Sequence, residues 1–147
     1  MSHVRQQIRD RFATLLTSGV SLVSSRVYSS RVYPLTQANL PALTIYTGSE
    51  SSGLQTMGVK TLSRTANIMV DAYVRSTANV DDTIDSICVQ VEEAIASDYT
   101  LNGIAKNTVL ISTDIDFSGE AEQPVGIARL TFSVLYVTSI NDVETAR

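Results

Sequence analysis

Histidine and cysteine each occur once in this chain, as His3 and Cys88. A single histidine near the start of a helix argues against a serine–histidine or cysteine–histidine nucleophilic couple. A single cysteine excludes an internal disulfide. Cys88 falls on an apolar helical stripe, where an inert thiol is expected, because reactive thiols need exposed, electropositive surroundings. Basic residues are also in the minority: 11 Lys and Arg against 15 Asp and Glu leave a net charge of −4. Tight nucleic-acid binding draws on cations at phosphates, so this balance argues against it. Arg26, Tyr28, Arg31 and Tyr33 interleave base and aromatic in a way that could stack on bases. Tyrosine is common in strands, however, and the surrounding charge is negative, so a strand explains them better. There is no glycine-rich phosphate loop and no Cys/His zinc spacing. No run approaches the roughly 18 apolar residues of a membrane span, and the N-terminus lacks a signal-peptide core. The expected setting is a reducing cytoplasm, with no membrane and no cofactor.

What is present is patterning. At 147 residues, with 44% hydrophobic and 18% charged residues, the chain has the size and composition of one globular domain. Its organising stretch runs from Arg64 to Asp98. Ala66, Ile68, Val70, Ala72 and Val74 alternate with Asn67, Met69, Asp71, Tyr73 and Arg75. That is a long strand with one buried face and one mostly polar face. The period then changes from two to 3.6: Val80, Ile84, Ile87, Cys88, Val91 and Ile95 form one helical stripe. Asn79 is the predicted N-cap, with Asp81 and Asp82 in the first turn.

An earlier stripe, Val4, Ile8, Phe12, Leu15 and Leu16, predicts a helix from about Ser2 to Ser18, closed by Gly19 as a left-handed cap. Its other face carries Arg5, Arg9 and Arg11. The second helix has the opposite bias, with Asp81, Asp82, Asp85, Glu92, Glu93 and Asp98 and no base. A solvated face is the commoner meaning of either run; complementary contact within or between chains is the other.

Ser24-Ser25-Arg26-Val27-Tyr28 is repeated as Ser29-Ser30-Arg31-Val32-Tyr33, and Ala42 to Thr47 alternates again. These segments predict a β-hairpin with a longish connection. Gly48 to Lys60 has no period and reads as a loop, with Leu54 and Met57 as unexpected apolar residues in it. Asn107 to Phe117 is predicted as a strand with Val109, Ile111, Ile115 and Phe117 inward, and Val125 to Thr138 as the last strand. Residues 1–140 make one α+β domain: an antiparallel or mixed sheet of about four to five strands, with two helices on one face. Residues 141–147 read as a polar, frayed tail.

Asp114, Asp116, Glu120 and Glu122 are the best candidates for chemistry. Asp114 and Asp116 share a strand face about 7 Å apart, a spacing compatible with a divalent ion or acid/base work in a small hydrolase. An exposed strand followed by an acidic turn explains them more simply.

The segment Arg31-Val32-Tyr33-Pro34-Leu35-Thr36-Gln37-Ala38-Asn39-Leu40-Pro41-Ala42-Leu43-Thr44-Ile45-Tyr46 runs from a strand through a polar link and a Leu-Pro-Ala lead-in to a strand ending in tyrosine. With the N-terminal helix, the loop at Gly48-Ser49-Glu50, the long strand–helix unit and the closing strands, the chain resembles the tail terminators of long, flexible-tailed bacteriophages, the minor tail protein U-like family. The resemblance implies a non-enzymatic virion protein at the head-proximal end of the tail, assembled in the host cytoplasm. It implies a hexameric ring that caps the tail tube protein, ends its polymerisation and offers a surface to the head–tail connector, while genome DNA passes the lumen without specific binding. Another neck or tail-completion protein is the nearest alternative. On the terminator reading, subunit contacts fall on Tyr46, Met69, Asp71, Tyr73 and Arg75, and on Arg5, Arg9, Asp85 and Glu92 of the two helices. Glu50, Leu54, Met57, Lys60 and Arg64 fall on the loop that meets the tube or a neighbouring subunit.

Overall fold

The stripe Val4, Ile8, Phe12 and Leu16 is buried along helix α1, Val4–Gly19. A computed structural model of the chain describes residues 2–23, 26–29, 41–54, 60–75, 80–118 and 125–147. After α1 come a short 3-10 turn and the strands β1 (Val27–Tyr28), β2 (Ala42–Leu54) and β3 (Thr61–Arg75). Helix α2 (Val80–Ala96) follows, then β4 (Asn107–Ser118), β5 (Val125–Ser139) and β6 (Asp142–Ala146). The result is a single α+β domain with two helices and a six-stranded mixed sheet of order β1-β2-β3-β5-β4, β6 also pairing with β5.

β3 and β5 pair over their full lengths, Thr61 opposite Ser139 and Arg75 opposite Val125. The other edge of β5 serves β4 as far as Leu135 and then β6. The β3–α2–β4 crossover leaves one place in the sheet, which β5 fills antiparallel to both strands. The inward set Ala66, Ile68, Val70, Ala72 and Val74 joins Leu130, Phe132 and Val134 and both helical stripes in one core. Phe12 meets Phe132 edge to face at 5.5 Å.

Several expectations change. The predicted cap Asn79 and the second copy of the repeat beyond Ser29 lie outside the described residues. Val27 and Tyr28 of the first copy form β1, which pairs parallel to β2, Val27 opposite Leu43, so these residues do not make a hairpin with it. A parallel partner needs a connection of about a dozen residues, and the chain between Tyr28 and Ala42 supplies that length. Gly19 is helical rather than a left-handed cap; Val20, at φ −111°, is the cap. A Cβ at Gly19 would lie 2.8 Å from the Ala94 Cβ, so glycine there lets α1 and α2 approach. The predicted loop at Gly48 is strand as far as Leu54, paired with Leu62–Ala66. Backbone pairing supports it where side-chain alternation is interrupted by a bulge between Thr47 and Glu50. Asp142–Ala146 is a strand rather than a frayed segment, and Gln7 Nε2 donates to the Glu144 carbonyl at 2.7 Å.

Candidate assembly surfaces

Cross-strand register assembles the outer sheet face, away from the helices. Thr44 lies opposite Asp71 and Tyr46 opposite Met69 on β2 and β3, while Asp71 lies opposite Arg129 on β5. Asp71 is 2% exposed, and the Arg129 guanidinium grips it as a fork, Nε to Oδ1 at 2.9 Å and Nη2 to Oδ2 at 3.1 Å. The Tyr46 hydroxyl donates to Oδ2 at 3.1 Å, and the guanidinium stacks over the Tyr46 ring at 5.7 Å. The Asp71 hydrogen bond raises the Arg129 pKa further above its ordinary value. Burial, then the Asp71 charge, raises the Tyr46 and Tyr73 hydroxyls. Arg129 therefore stays charged and both tyrosines stay neutral at any working pH. Tyr46, Met69, Tyr73 and Arg129 line an open depression of about 570 Å³. A Cβ at Gly48 would sit 2.7 Å from the Met69 terminal methyl, so glycine seats that side chain in the depression. Of the residues expected on this face, Tyr46, Met69, Asp71 and Tyr73 are together; the Arg75 side chain lies outside the described set. Arg129 was missed, because only strand register places it opposite Asp71.

The β2 bulge turns Glu50 to the other side. Thr47 and Glu50 both pair with inward residues of β3, Ile68 and Ala66. Glu50, 9% exposed at its side chain, accepts from Arg5, from the Tyr136 hydroxyl and from Arg64 Nη1 at 3.3 Å. Arg64 Nε also donates to Thr138 Oγ1 at 3.0 Å. Burial and the Glu50 hydrogen bond push the Tyr136 hydroxyl well up. Glu50 and Arg64, expected on a contact loop, are instead buried in an ionic cluster beneath α1. Leu54 and Lys60 are exposed, and Met57 lies outside the described residues.

The helices differ from expectation in the same way. Arg11 is bound to Asp98 at 2.8 Å and Arg5 to Glu50, while Arg9 donates to the Thr47 hydroxyl at 2.8 Å. The basic face is thus turned largely to the chain's own groups. Asp81, Asp82, Asp85, Glu92 and Glu93 of α2 are exposed, with no ion-pair partner among the described residues. Cys88 is buried between them and the sheet, its thiol pushed up to about 11 by burial and by the Glu92 and Asp85 charges.

β4 is the sheet's outer strand. A bulge between Leu110 and Ser112 shifts its register, so the predicted inward set is broken. Val109, Ile111 and Ile115 are 48%, 55% and 48% exposed. Asp114 and Asp116 come onto the outer face, where they flank a hollow of about 300 Å³ with Ile127 and Arg129. Among the described residues, no group of three or more His, Cys, Asp or Glu could hold a metal ion. Glu120 and Glu122 lie outside them. No described helix is long and apolar enough to cross a membrane.

No protein-family model matches the sequence, and no curated protein matches it. Among solved structures, the chain is similar to a chain from the "Virion of native gene transfer agent (GTA) particle". The identity is 12% and the TM-score 0.43, over 90% of this chain and 92% of that one. Likeness at that level does not transfer a role.

Proposed function

We propose that this chain is a structural subunit of a virion, of the tail-terminator kind. It forms a ring that caps the tail tube, ends tube polymerisation and presents a docking surface to the head–tail connector. The observation that carries this reading is the outer sheet face. Two tyrosines, a methionine and a forked arginine surround a buried carboxylate, and nothing described in the chain covers them. Tyr, Met and Arg are the residues enriched at the centres of protein contacts. Helices on one face and an open sheet on the other suit a subunit that keeps one layer for its core and one for partners. The resemblance to tail terminators in element order supplies the ring and the tube; the reading assigns no catalytic residue, cofactor or membrane.

Electron microscopy of the purified chain, alone and mixed with tail tubes, tests it. Closed rings, and tubes capped at one end, are expected. A chain that neither closes into rings nor binds the end of a tube overturns the reading. A chain that binds only to isolated heads favours a neck protein.

A further inference from the structure

We infer that the end of the sheet carrying Leu54, Lys60 and Ile140 seats on the outer face of a neighbouring copy. Leu54 enters the depression at Met69 and Tyr73, and Lys60 meets Asp114. The inference rests on the ring reading and names the contact within it. Glu50, which α1 holds through Arg5, lies opposite Ala66; Leu54 lies four residues further out, opposite Leu62. Leu62 is opposite Thr138, and the Ile140 N–H donates to the Lys60 carbonyl at 2.9 Å. Side chains directly opposite one another share a face. Leu54, Leu62 and Ile140 therefore form an apolar row past the start of the helix, with Lys60 beside it. Leu54 is 63% exposed and Ile140 43%.

The outer face offers the counterpart. Met69 and Tyr73 supply apolar walls to the depression, and Arg129, which also lines the hollow beside it, is committed to Asp71. Asp114, on the far side of Arg129, is exposed and has no ion-pair partner among the described residues. Neither has the exposed Lys60. The spacings agree. Leu54 and Lys60 stand one strand and two residues apart, about 8 Å between backbones. Asp71 and Asp114 stand two strands apart, about 10 Å. The flexible lysine stem spans the difference.

One chain cannot make this contact with itself. The apolar row and the depression lie on opposite faces of the sheet, and Leu62 is roughly 24–30 Å along β3 from Met69 and Asp71. Two unlike patches joined copy to copy make a heterologous contact, the kind that closes into a ring. The other large uncovered surface, the carboxylate face of α2, would meet Asp114 with like charge.

Lys60→Glu and Asp114→Lys, both at exposed positions, test the contact, their folds checked by circular dichroism melts. Sedimentation velocity and electron microscopy, with and without tail tubes, read the rings. The unaltered chain should form rings. Either variant alone should lose them or need about tenfold more protein, because like charges then meet at every contact. Both substitutions in one chain should restore the rings. An equal mixture of the two variants should restore them as well, in alternation, since each contact then joins unlike charges. Leu54→Ser, which changes no charge, should also weaken them. Rings that all three variants leave unchanged overturn the contact but leave the ring reading standing. The contact also fails if rings lost in both charge variants return in neither the double variant nor the mixture. Loss of tube capping with rings intact in Lys60→Glu would assign the row to the tube and overturn the contact between copies. An unaltered chain that forms no ring, alone or on a tube, overturns both.

Discussion

His3 shows how one side chain links local structure to pH. Its Nδ1 accepts the Arg5 backbone N–H at 3.1 Å, capping α1, which only the neutral ring can do. Burial and then the Arg5 charge lower its pKa below the ordinary 6.5. The folded state therefore favours the neutral form. The stability this contributes is complete above about 6.5 and is lost as pH falls through the lower, folded value. Melting temperature should decline over that interval, and His3→Asn, which keeps a capping acceptor, should flatten the decline. An unchanged slope would place the titration elsewhere. Glu50 sets a larger stake. Replacing it with Gln leaves Arg5 and Arg64 without a carboxylate in a mostly buried cluster. Breaking a buried ionic pair from one side costs about 3 kcal/mol or more, and part of that is screened here because Arg5 is partly exposed. A loss of about 2 kcal/mol in urea unfolding is expected; no loss would mean that the cluster is solvated.

Between elements, the contact of α1 with α2 depends on the absence of a side chain. Gly19→Ala should raise helix propensity by about 1 kcal/mol in isolation. In the protein the new methyl meets the Ala94 Cβ at 2.8 Å, a group fixed to its own backbone. Overpacking of this kind costs about 1–3 kcal/mol, so net destabilisation is expected. Ala94→Gly in the same chain should restore the lost packing, and the double-mutant cycle should show positive coupling. Additive single effects would mean that the helices move apart freely. β6 makes a parallel case at the other terminus. Removing Asp142–Arg147 strips the Glu144 carbonyl from Gln7 and the Arg147 N–H from the Val137 carbonyl. A cost of roughly 1–2 kcal/mol is expected from the lost ladder, whereas a frayed tail would cost nothing.

At the scale of the whole molecule, what was legible followed period. Alternation in β3 and the 3.6 repeat of both helices place the core residues, because burial on one face writes itself into spacing. What was illegible followed pairing. The bulge in β2 reverses which residues face inward beyond it, and the bulge in β4 leaves Val109 before it on the outer side while Ile115 beyond it lies opposite the core residue Ala128. That is why Glu50 is buried and Val109 and Ile111 are exposed, against the sequence reading. Arg129 and Tyr136 matter through partners more than 50 residues away, and no local signal announces them. The basic run of α1 likewise looks like a free face until its partners are found. Those partners tie α1 into the molecule at four separate places: Arg5 to Glu50, Gln7 to Glu144, Arg9 to Thr47 and Arg11 to Asp98. Together with Phe12 against Phe132, they bind the helix to the sheet, to the last strand and to the turn after α2. Such a helix should not open on its own. In native-state hydrogen exchange, the amides of Ile8, Phe12 and Leu16 should therefore open with the same free energy as Ile68 and Val70 in β3, as one cooperative unit. The Asn102 N–H and Arg11 hold the Asp98 carboxyl below its usual pKa. That contribution is present above about 3.8 and is lost as pH falls through the folded value. Acid should therefore loosen α1 first, its exchange separating from that of β3 only at low pH. Separate opening already at neutral pH would show that the four ties do not couple the helix to the sheet.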